Sequence, residues 1–420
     1  MAKTFTVNGD IFGNLLCAEG LFANREAMRP SYIPELLPHR DKEINHLASI
    51  LVPALRGETP SNVFIYGKTG TGKTAVTKFV GKELLKKGEE TSKKVNFIYI
   101  NCEVVDTQYR LLQNITNHFV DNWSERIPFT GWPTDEVYAK LKQMIEKEGG
   151  VTVIILDEVD KLKGDEALYN LTRINSDLEK SKVSIVGLSN DLKFTDFLDP
   201  RVKSSLGEEN LIFSPYNAEE LQDILKQRIE IALKTDAIDQ EVIPLCAALA
   251  AQEHGDARRA LDLLRISAEI AERAKSPRIT KKHVQLAQNK IEINRIMEVT
   301  LTLPTQSKLL LFAILLQEQQ NKKSVSAGGA ITTGDVYDIY KDLCKKTRTD
   351  TLTQRRVADL ISELDMLGII TARVISKGRY GRTRDIKISP TTEDVMKSLQ
   401  EDEVFKELSN YKIRGQTRLI

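Results

Sequence analysis

The sequence of 420 residues lacks the features that mark secreted, zinc-binding or membrane-spanning proteins. Its four cysteines form no C-x-x-C pair and have no histidine at ligand spacing, so a zinc site is not expected. Such cysteines are typical of small buried residues in a reducing compartment. No apolar run approaches the length of a membrane span, and the N-terminus lacks the pattern of a signal peptide. We therefore expect a cytoplasmic protein with no membrane partner.

An excess of charge of one sign is also missing. The 60 lysines and arginines balance 59 aspartates and glutamates, which leaves a net charge of +1. Net charge therefore indicates no particular partner, and any contact with nucleic acid has to come from local clusters of basic residues. The sequence contains no internal repeat and no low-complexity tract. Its length predicts two or three domains with enough chain to bury a core.

A strand, a glycine-rich loop and a helix follow one another from residue 63. The loop matches G-x-x-x-x-G-K-T, whose glycines let backbone N–H groups point at a triphosphate. The helix that follows presents its positive N-terminus to the same anion. Lys73 is expected to reach the outer phosphates, and Thr74 to offer its hydroxyl to Mg²⁺. The predicted nucleotide-binding residues of the loop are Gly67, Lys68, Thr69, Gly70, Thr71, Gly72, Lys73 and Thr74.

An apolar strand that ends in two acidic residues, VIILDE at 153–158, supplies the second half of the predicted site. Asp157 is expected to hold Mg²⁺ through water, and Glu158 to polarise the attacking water. Asn190, at the end of the next strand, is predicted to hold that water near the γ-phosphate. The alternative is that Asn190 caps the following helix.

Three further residues are predicted to contact nucleotide. Arg258 opens a helix in the stretch GDARRA, where an arginine can sense the γ-phosphate, and we favour it over Arg259. Tyr216 is assigned to the binding site of the same chain. Arg201 could project into the nucleotide site of a neighbouring subunit as an arginine finger, or it could form a surface salt bridge.

The pattern of elements divides the chain into three predicted domains. Strands at 63–66, 95–101, 151–156, 183–189 and 210–213 alternate with helices, which predicts an α/β parallel sheet covered on both faces. One of these helices is predicted from about Thr107 to Trp123. From residue 217 the strands stop, and Asn217 with Glu220 forms a plausible N-cap pair for a helix. Three more helices, at 240–254, 257–274 and 280–299, complete a predicted helical lid. Residues 1–215 are thus assigned to the nucleotide-binding base and 216–300 to the lid.

Residues 301–420 carry three helical patterns followed by two strands, at 369–375 and 385–389. The third helix ends at Gly368, a natural C-terminal stop. Three helices followed by a hairpin form the layout of a winged helix, an α+β domain. The hairpin and the start of the third helix are rich in basic residues, which suits contacts with DNA phosphates and grooves. The predicted DNA-binding residues here are Arg355, Arg356, Lys377, Arg379, Tyr380, Arg382 and Arg384. The alternative is a solvated cationic turn.

Taken in order, these motifs resemble those of AAA+ ATPases, and more narrowly those of archaeal initiators related to the origin recognition complex and the cell division control proteins. The resemblance runs from about residue 20 to 410. Its motifs are YIP at 32–34, PHR at 38–40, the phosphate loop, LDEVD at 156–160, GLSND at 187–191, DPRVKSSL at 199–206, GDARRALDLLR at 255–265 and GRYGRTR at 378–384.

This resemblance implies a fold, a cofactor and partners. The fold is an AAA+ P-loop parallel sheet with a helical lid, followed by a winged-helix domain. ATP or ADP with Mg²⁺ occupies the site, and slow hydrolysis acts as a switch. The implied partners are double-stranded origin DNA at the nucleoid, the replicative helicase and paralogous initiator subunits. An initiator-specific insertion near residues 107–134 implies a second DNA contact, with Arg126 and Thr130 as candidates.

Two other classes of function fit parts of the pattern. One is a remodelling AAA+ ATPase that acts on DNA, of the clamp-loader or branch-migration type. The other is a signalling ATPase whose winged helix serves only as a spacer. The basic hairpin favours DNA over the spacer, and the lack of a pore loop after the second strand disfavours a threading motor. The absence of an Asn/Thr-Lys-x-Asp motif favours ATP over GTP.

Overall fold

The computed structural model describes residues 20–30, 32–196, 198–206, 209–323, 331–376 and 382–388, together with five residues beyond them: Val395, Met396, Leu399, Phe405 and Leu408. The chain forms two compact units, Met1–Val284 and Gln285–Ile420. The division falls inside one helix, Lys281–Thr302. Among the described residues, no helix is long and apolar enough to cross a membrane.

The first unit contains a five-stranded parallel sheet in the order β2-β3-β4-β1-β5. Its strands are β1 Val63–Gly67, β2 Val95–Asn101, β3 Val151–Asp157, β4 Lys182–Ser189 and β5 Glu209–Phe213. Every residue of β3 is buried, as expected for a central strand covered on both faces. The sequence predicted all five strands to within one residue at either end. The predicted α/β parallel sheet is therefore confirmed.

Two hydrophobic layers cover the two faces of this sheet. On one face, Ile65 and Ile155 pack with Leu47 and Val80 from α1 Asp41–Leu51 and α2 Lys73–Glu90. On the other face, the sheet packs against α3 Gln108–His118, α4 Thr134–Glu148, α5 Glu166–Arg173 and α6 Pro200–Leu206. Alternating side chains of the strands supply both layers, because successive residues of a strand point to opposite faces.

The helix predicted from about residue 107 to 123 is shorter in the structure. Thr107 caps α3, which ends at His118. Just before that end, the side chain of Asn117 accepts a hydrogen bond from Ile127 N at 2.8 Å and donates to Ile127 O at 3.0 Å. These bonds tie the returning chain to the end of α3. The predicted continuation of the helix to residue 123 is therefore wrong.

The lid follows the sheet within the same unit. Its helices are α7 Ala218–Ala232, α8 Val242–Gln252, α9 Ala257–Arg273 and the first residues of α10 Lys281–Thr302. Asn217 and Glu220 form a capping box at the start of α7, so the predicted N-cap pair is confirmed.

The second unit is a winged helix, as predicted. Its helices are α11 Thr305–Lys323, α12 Thr333–Thr347 and α13 Gln354–Met366, and its strands are β6 Ile331–Thr332, β7 Ile370–Ser376 and β8 Arg382–Ile388. The sheet has the order β6-β8-β7. The short β6 was not predicted from the sequence. Gly368 has a φ of 73°, which suits its predicted role as a helix stop.

Candidate nucleotide site and nucleic-acid interface

A cavity of about 470 Å³ lies where the carboxyl ends of the strands meet the lid. The phosphate loop forms its floor, the ends of β3 and β4 form one wall, and Arg258 and Leu261 contribute from the lid. Residues of the chain before α1 close the remaining side. Ligands of open parallel sheets bind at this edge of the strands.

The glycines of the phosphate loop are required by its shape. Gly70 and Gly72 have φ angles of 69° and 91°, in the left-handed region that favours glycine. A Cβ atom at Gly70 would lie 1.6 Å from Asp256 Oδ1, and one at Gly72 would lie 2.7 Å from the hydroxyl oxygen of Tyr216. The loop therefore lies directly against residues of the lid and of the turn before it.

Lys73 is buried, and its ammonium group is held in place by three acceptors. Nζ donates to Gly67 O at 2.6 Å, to Lys68 O at 2.8 Å and to Asn190 Oδ1 at 2.9 Å. Burial lowers the pKa of Lys73 to about 8, although Asp157 acts in the opposite direction. The structure thus places Lys73 and Asn190 side by side, as a shared phosphate and water site requires.

Asp157 and Thr74 lie together at the end of β3. The Thr74 hydroxyl donates to Asp157 Oδ2 at 2.7 Å, and the backbone N–H of Glu158 donates to Oδ1 at 3.0 Å. A hydroxyl and a carboxylate are the hard oxygen ligands that Mg²⁺ prefers when nucleotide phosphates complete its shell. These two residues therefore fit Mg²⁺. In the described parts of the chain, no group of three or more His, Cys, Asp or Glu residues could hold a metal without such help.

Glu158 lines the cavity and adopts a left-handed conformation with a φ of 53°. Burial raises the pKa of Glu158, and the nearby carboxyl of Glu103 raises it further. A carboxyl group with a raised pKa is a better proton acceptor once it is ionised. Glu158 therefore lies in the cavity and has the chemistry that a general base needs.

Asn190 is held by an acidic residue that the sequence analysis did not include in the site. Asp160 Oδ1 accepts hydrogen bonds from Ser189 Oγ at 2.8 Å and from Asn190 N at 3.3 Å. The next turn is capped by Asp191, whose Oδ1 accepts from Lys193 N at 2.8 Å. The Asn190 side chain faces the cavity and Lys73, so the turn does not depend on it as a cap.

On the lid side, Arg258 lines the cavity, whereas Arg259 pairs with Glu253 at 2.7 Å. Asp256 caps α9 by accepting from Arg258 N at 2.7 Å. The backbone N–H of Ala257, the first residue of α9, donates to Gly70 O at 3.1 Å. The lid helix that carries Arg258 is therefore hydrogen-bonded directly to the phosphate loop.

Arg40 is a buried residue of this site to which the sequence analysis gave no role. Its Nε donates to Thr71 O and to the hydroxyl of Tyr216, both at 3.0 Å, and its Nη2 donates to Ser214 O at 2.6 Å. Its guanidinium lies 4.0 Å from the centre of the Tyr216 ring. Arg40 thus joins the phosphate loop to the turn that leads into the lid. The only sequence signal was its place in the PHR motif.

The described chain before α1, residues 20–30 and 32–40, is here called the N-terminal segment. Buried Arg228 of α7 donates through Nη1 to Ala27 O at 2.7 Å and to Tyr32 O at 3.2 Å. Gln227, which is also on α7, donates to Leu36 O at 3.1 Å. Tyr32, Ile33, Pro34, Leu37 and Pro38 of this segment line the cavity. The segment is therefore hydrogen-bonded to the lid. It forms an apolar wall that suits the nucleobase of a bound nucleotide.

Arg201 lies on α6, outside the nucleotide cavity of its own chain. Its guanidinium bonds to Asp199 at 3.1 and 3.0 Å and lies 5.1 Å from the centre of the Tyr169 ring. It is exposed and borders a separate cleft of about 270 Å³. The structure does not bring Arg201 together with the other predicted site residues, so a role as a finger would have to act on a neighbouring subunit.

The predicted insertion forms a loop with a fixed base and an exposed tip. Ile127 is buried, and Gln113 donates to its carbonyl oxygen at 2.9 Å. Two residues later Phe129 is 72% exposed, and Thr130 is exposed beside it. Arg126 is also exposed, with its guanidinium 5.2 Å from the centre of the Trp123 ring. Both predicted DNA contacts of the insertion are therefore accessible.

In the winged helix, Arg355 and Arg356 are exposed at the start of α13. Arg384 is turned toward the same helix, since its Nη1 donates to Ala358 O at 2.9 Å and to Ser362 Oγ at 2.8 Å. These bonds join the hairpin strand β8 to α13, so Arg384 has a structural role. Its contact with DNA stays a prediction. The predictions for Lys377, Arg379 and Tyr380, and for the side chain of Arg382, lie outside the described residues.

A parallel sheet with a phosphate loop, a helical lid bonded to that loop and a separate winged helix define the class of AAA+ ATPases with a winged-helix domain. Family models agree with this class over three segments. Residues 56–190 match an AAA domain, residues 222–289 match the Cdc6 AAA+ ATPase-type lid domain, and residues 298–398 match the CDC6 C-terminal winged helix domain.

Curated relatives identify the family within this class. ORC1-type DNA replication protein 1 of Methanosarcina acetivorans is 58% identical over 414 residues, which cover 98% of each chain. The ORC1-type DNA replication protein of Pyrococcus furiosus is 53% identical over 412 residues, or 97% of each chain. The Aeropyrum pernix ORC1 protein, solved in complex with DNA, is 44% identical with a TM-score of 0.74, over 92% of this chain and 98% of that one. The chain belongs to the family of ORC1-type DNA replication proteins, so the resemblance found in the motifs is confirmed.

Proposed function

We propose that this protein initiates DNA replication by binding double-stranded origin DNA under the control of ATP, and that it helps to recruit or load the replicative helicase. The observation that carries the proposal is the bond between Ala257 N and Gly70 O, which ties the lid to the phosphate loop. Such a bond lets the state of the nucleotide act on the lid. The identity to ORC1-type relatives, one of them solved with DNA, supports DNA as the target.

In the proposed site, Lys73 binds the outer phosphates and Glu158 accepts a proton from the attacking water. Asn190, fixed by Asp160, orients that water, and Arg258 contacts the γ-phosphate from the lid. Thr74 and Asp157 would hold Mg²⁺, which supplies charge neutralisation on the phosphates when it is bound. Loss of the γ-phosphate removes the ligand of Arg258, so the lid responds to hydrolysis.

Hydrolysis in this scheme is slow and serves as a switch. Arg201 borders a cleft separate from the nucleotide cavity, so it does not act as an arginine finger on the nucleotide of its own chain. A neighbouring paralogous subunit would supply that residue, which makes turnover dependent on assembly. Between such encounters, the bound nucleotide keeps the lid in one state.

The proposed DNA surface has two parts. Arg355 and Arg356 stand at the start of α13, where a recognition helix enters the major groove. Arg126 and Thr130 lie on the exposed insertion loop of the other unit. Association with the nucleoid follows from such contacts.

A remodelling ATPase of the clamp-loader or branch-migration type remains the second candidate function.

The test is footprinting on candidate origin DNA with ATP, with ADP, and with ATP bound to the Glu158→Gln variant. Glu158→Gln removes the proton acceptor, so we expect ATP to stay bound and unhydrolysed. The expected result is a sequence-specific footprint that differs between ATP and ADP, with the variant locked in the ATP pattern. A footprint independent of sequence and nucleotide, together with rapid turnover in a ring, would favour the remodelling ATPase instead.

A further inference from the structure

Tyr99 lines the nucleotide cavity although it belongs to none of the motifs of the sequence. It lies on β2, paired in register with Ile155 of β3. Asp157 is two residues beyond Ile155 and therefore points to the same face of the sheet. A tyrosine is long enough to reach this diagonal neighbour. Its hydroxyl donates to Asp157 Oδ2 at 2.6 Å.

The hydrogen bonds to Asp157 show what Tyr99 adds. Oδ1 accepts from the backbone N–H of Glu158, and Oδ2 accepts from Thr74 and Tyr99. An aspartate carboxylate can rotate broadly about its last torsion. Donors on both oxygens fix that rotation, and Tyr99 is the donor that comes from a neighbouring strand. Without its hydroxyl, Oδ2 would keep only the flexible Thr74 side chain as its partner in this set.

The Tyr99 ring is itself held in position. Lys78 Nζ lies 3.8 Å from the ring centroid, close enough for a cation–π interaction. Lys78 is one turn beyond Thr74 on α2, and both Lys78 and Tyr99 line the nucleotide cavity. The helix that begins at the phosphate loop thus carries both the Mg²⁺-facing hydroxyl and the cation that steadies the tyrosine.

We infer that Tyr99 is a positioning residue for the Mg²⁺ site, because its hydroxyl orients the Asp157 carboxylate beside Thr74. This inference rests on the proposed nucleotide site. In this role Tyr99 acts through its hydrogen bond to Asp157. Groups that orient metal-binding side chains typically change metal affinity by about 10- to 100-fold when they are removed.

The experiment compares nucleotide binding with and without Mg²⁺ in the Tyr99→Phe variant. A fluorescent ATP analogue is titrated in EDTA and then at increasing Mg²⁺. Phenylalanine keeps the ring against Lys78, so affinity in EDTA should stay within about twofold of the original protein. The Mg²⁺ concentration for half-maximal enhancement should rise about tenfold, at the lower end of the usual range, because Thr74 still contacts Oδ2.

Tyr138→Phe is the matched control. The Tyr138 hydroxyl also makes a single hydrogen bond, to Asn170 O at 3.2 Å, but it lies outside the cavity. Its Mg²⁺ midpoint should equal that of the original protein. Asp157→Asn tests the site itself, and it should abolish most of the Mg²⁺ enhancement.

The outcomes separate the two claims. An unchanged Mg²⁺ midpoint in Tyr99→Phe, with Asp157→Asn defective, would overturn the role of Tyr99 and leave the nucleotide site intact. Equal weakening of Tyr99→Phe in EDTA and in Mg²⁺ would also overturn it, because the tyrosine would then act through packing. Full Mg²⁺ enhancement in Asp157→Asn would instead refute the proposed metal site.

Discussion

The nucleotide cavity and the winged-helix surface hold their charged side chains in opposite ways. Lys73 in the cavity and Arg40 behind the phosphate loop are buried, and each makes at least three hydrogen bonds inside the protein. On the winged helix, Arg355 and Arg356 are exposed, and the carboxylates nearest to Arg356 are 3.9 and 4.0 Å away. The cavity is pre-organised for one ligand shape, whereas the surface offers mobile charge to a polyanion.

This difference means that substitutions should separate into two kinds. A change of Lys73 or Arg40 should disturb both ligand binding and the surrounding structure, because each of these side chains has several partners. A change on the surface should disturb DNA binding and its salt dependence while leaving stability unchanged. Four experiments test this contrast.

The largest effect is expected for Lys73→Ala. The substitution removes a cation that would form charge-assisted bonds to phosphate, each contributing about 1.5–3 kcal/mol. ATP affinity should fall on the order of 100-fold or more. Isothermal titration measures it. Lys82→Ala is the control, since that lysine is exposed on the same helix. Equal loss in both variants would mean that general positive charge, and not the position of Lys73, binds the nucleotide.

The next effect concerns Arg355 and Arg356 changed together to Ala. DNA affinity should fall by roughly tenfold or more, and the salt slope should fall by about one for each phosphate that the variant no longer binds. Thermal stability should be unchanged. Arg384→Ala provides the contrast, because that arginine bonds to Ala358 and Ser362 and its removal should lower the unfolding temperature. If the double variant unfolds more easily than Arg384→Ala, the proposed separation of surface from structure fails.

A smaller effect is expected for Gly70→Ala, which places a Cβ on Asp256 and forces a non-glycine residue into a left-handed conformation. The conformation alone costs about 1–2 kcal/mol. Gly164→Ala has the same conformational cost at a φ of 78°, with no atom within 4 Å of the new Cβ. The unfolding temperature should therefore be lowered more by Gly70→Ala than by Gly164→Ala. Equal shifts in the two variants would show that the loop can move away from the lid.

The smallest effect is the pH dependence of ATP binding. The pKa of Lys73 is lowered to about 8, so its positive charge is nearly complete about one pH unit below that value and is lost as the pH rises through it. ATP affinity should be level from about pH 6.5 to 7.5 and should then fall, by at most about tenfold per pH unit for one proton. Titrations across this range measure the slope. An affinity that stays level to about pH 9.5 would contradict the lowered pKa.

The sequence predicted those parts of the molecule in which the responsible residues are neighbours along the chain or belong to motifs, as Asp157, Asn190 and Arg258 do. The strand, loop and helix around Lys73 form one continuous stretch, and Asn217 with Glu220 spans a single turn. The roles of Arg40 and Tyr99 could not be predicted in this way. Arg40 bonds to Ser214, which is 174 residues away in the sequence, and Tyr99 bonds to Asp157, 58 residues away. Such contacts depend on the order of strands in the sheet, which periodicity alone does not determine.

The same limit explains the error in α3. Its apolar pattern continues past His118, but the chain turns because Asn117 bonds to Ile127 in the returning loop. A residue that can either extend a helix or bind a distant backbone group follows its tertiary contacts. The position of Arg384 against α13 is another case, because a basic residue on a hairpin suggests exposure until the neighbouring helix is known.

The cavity wall also has a consequence for the order in which the protein becomes functional during synthesis. The N-terminal segment supplies one side, and Arg258 and Leu261 supply the other, so the wall is complete only after the ribosome has passed residue 261. Until then Arg228 and the carbonyls of Ala27 and Tyr32 cannot meet in a finished lid. A ligand that binds only the folded state stabilises it by RT ln(1 + [L]/Kd). The nucleotide can therefore stabilise the folded unit only from this late stage of synthesis onward.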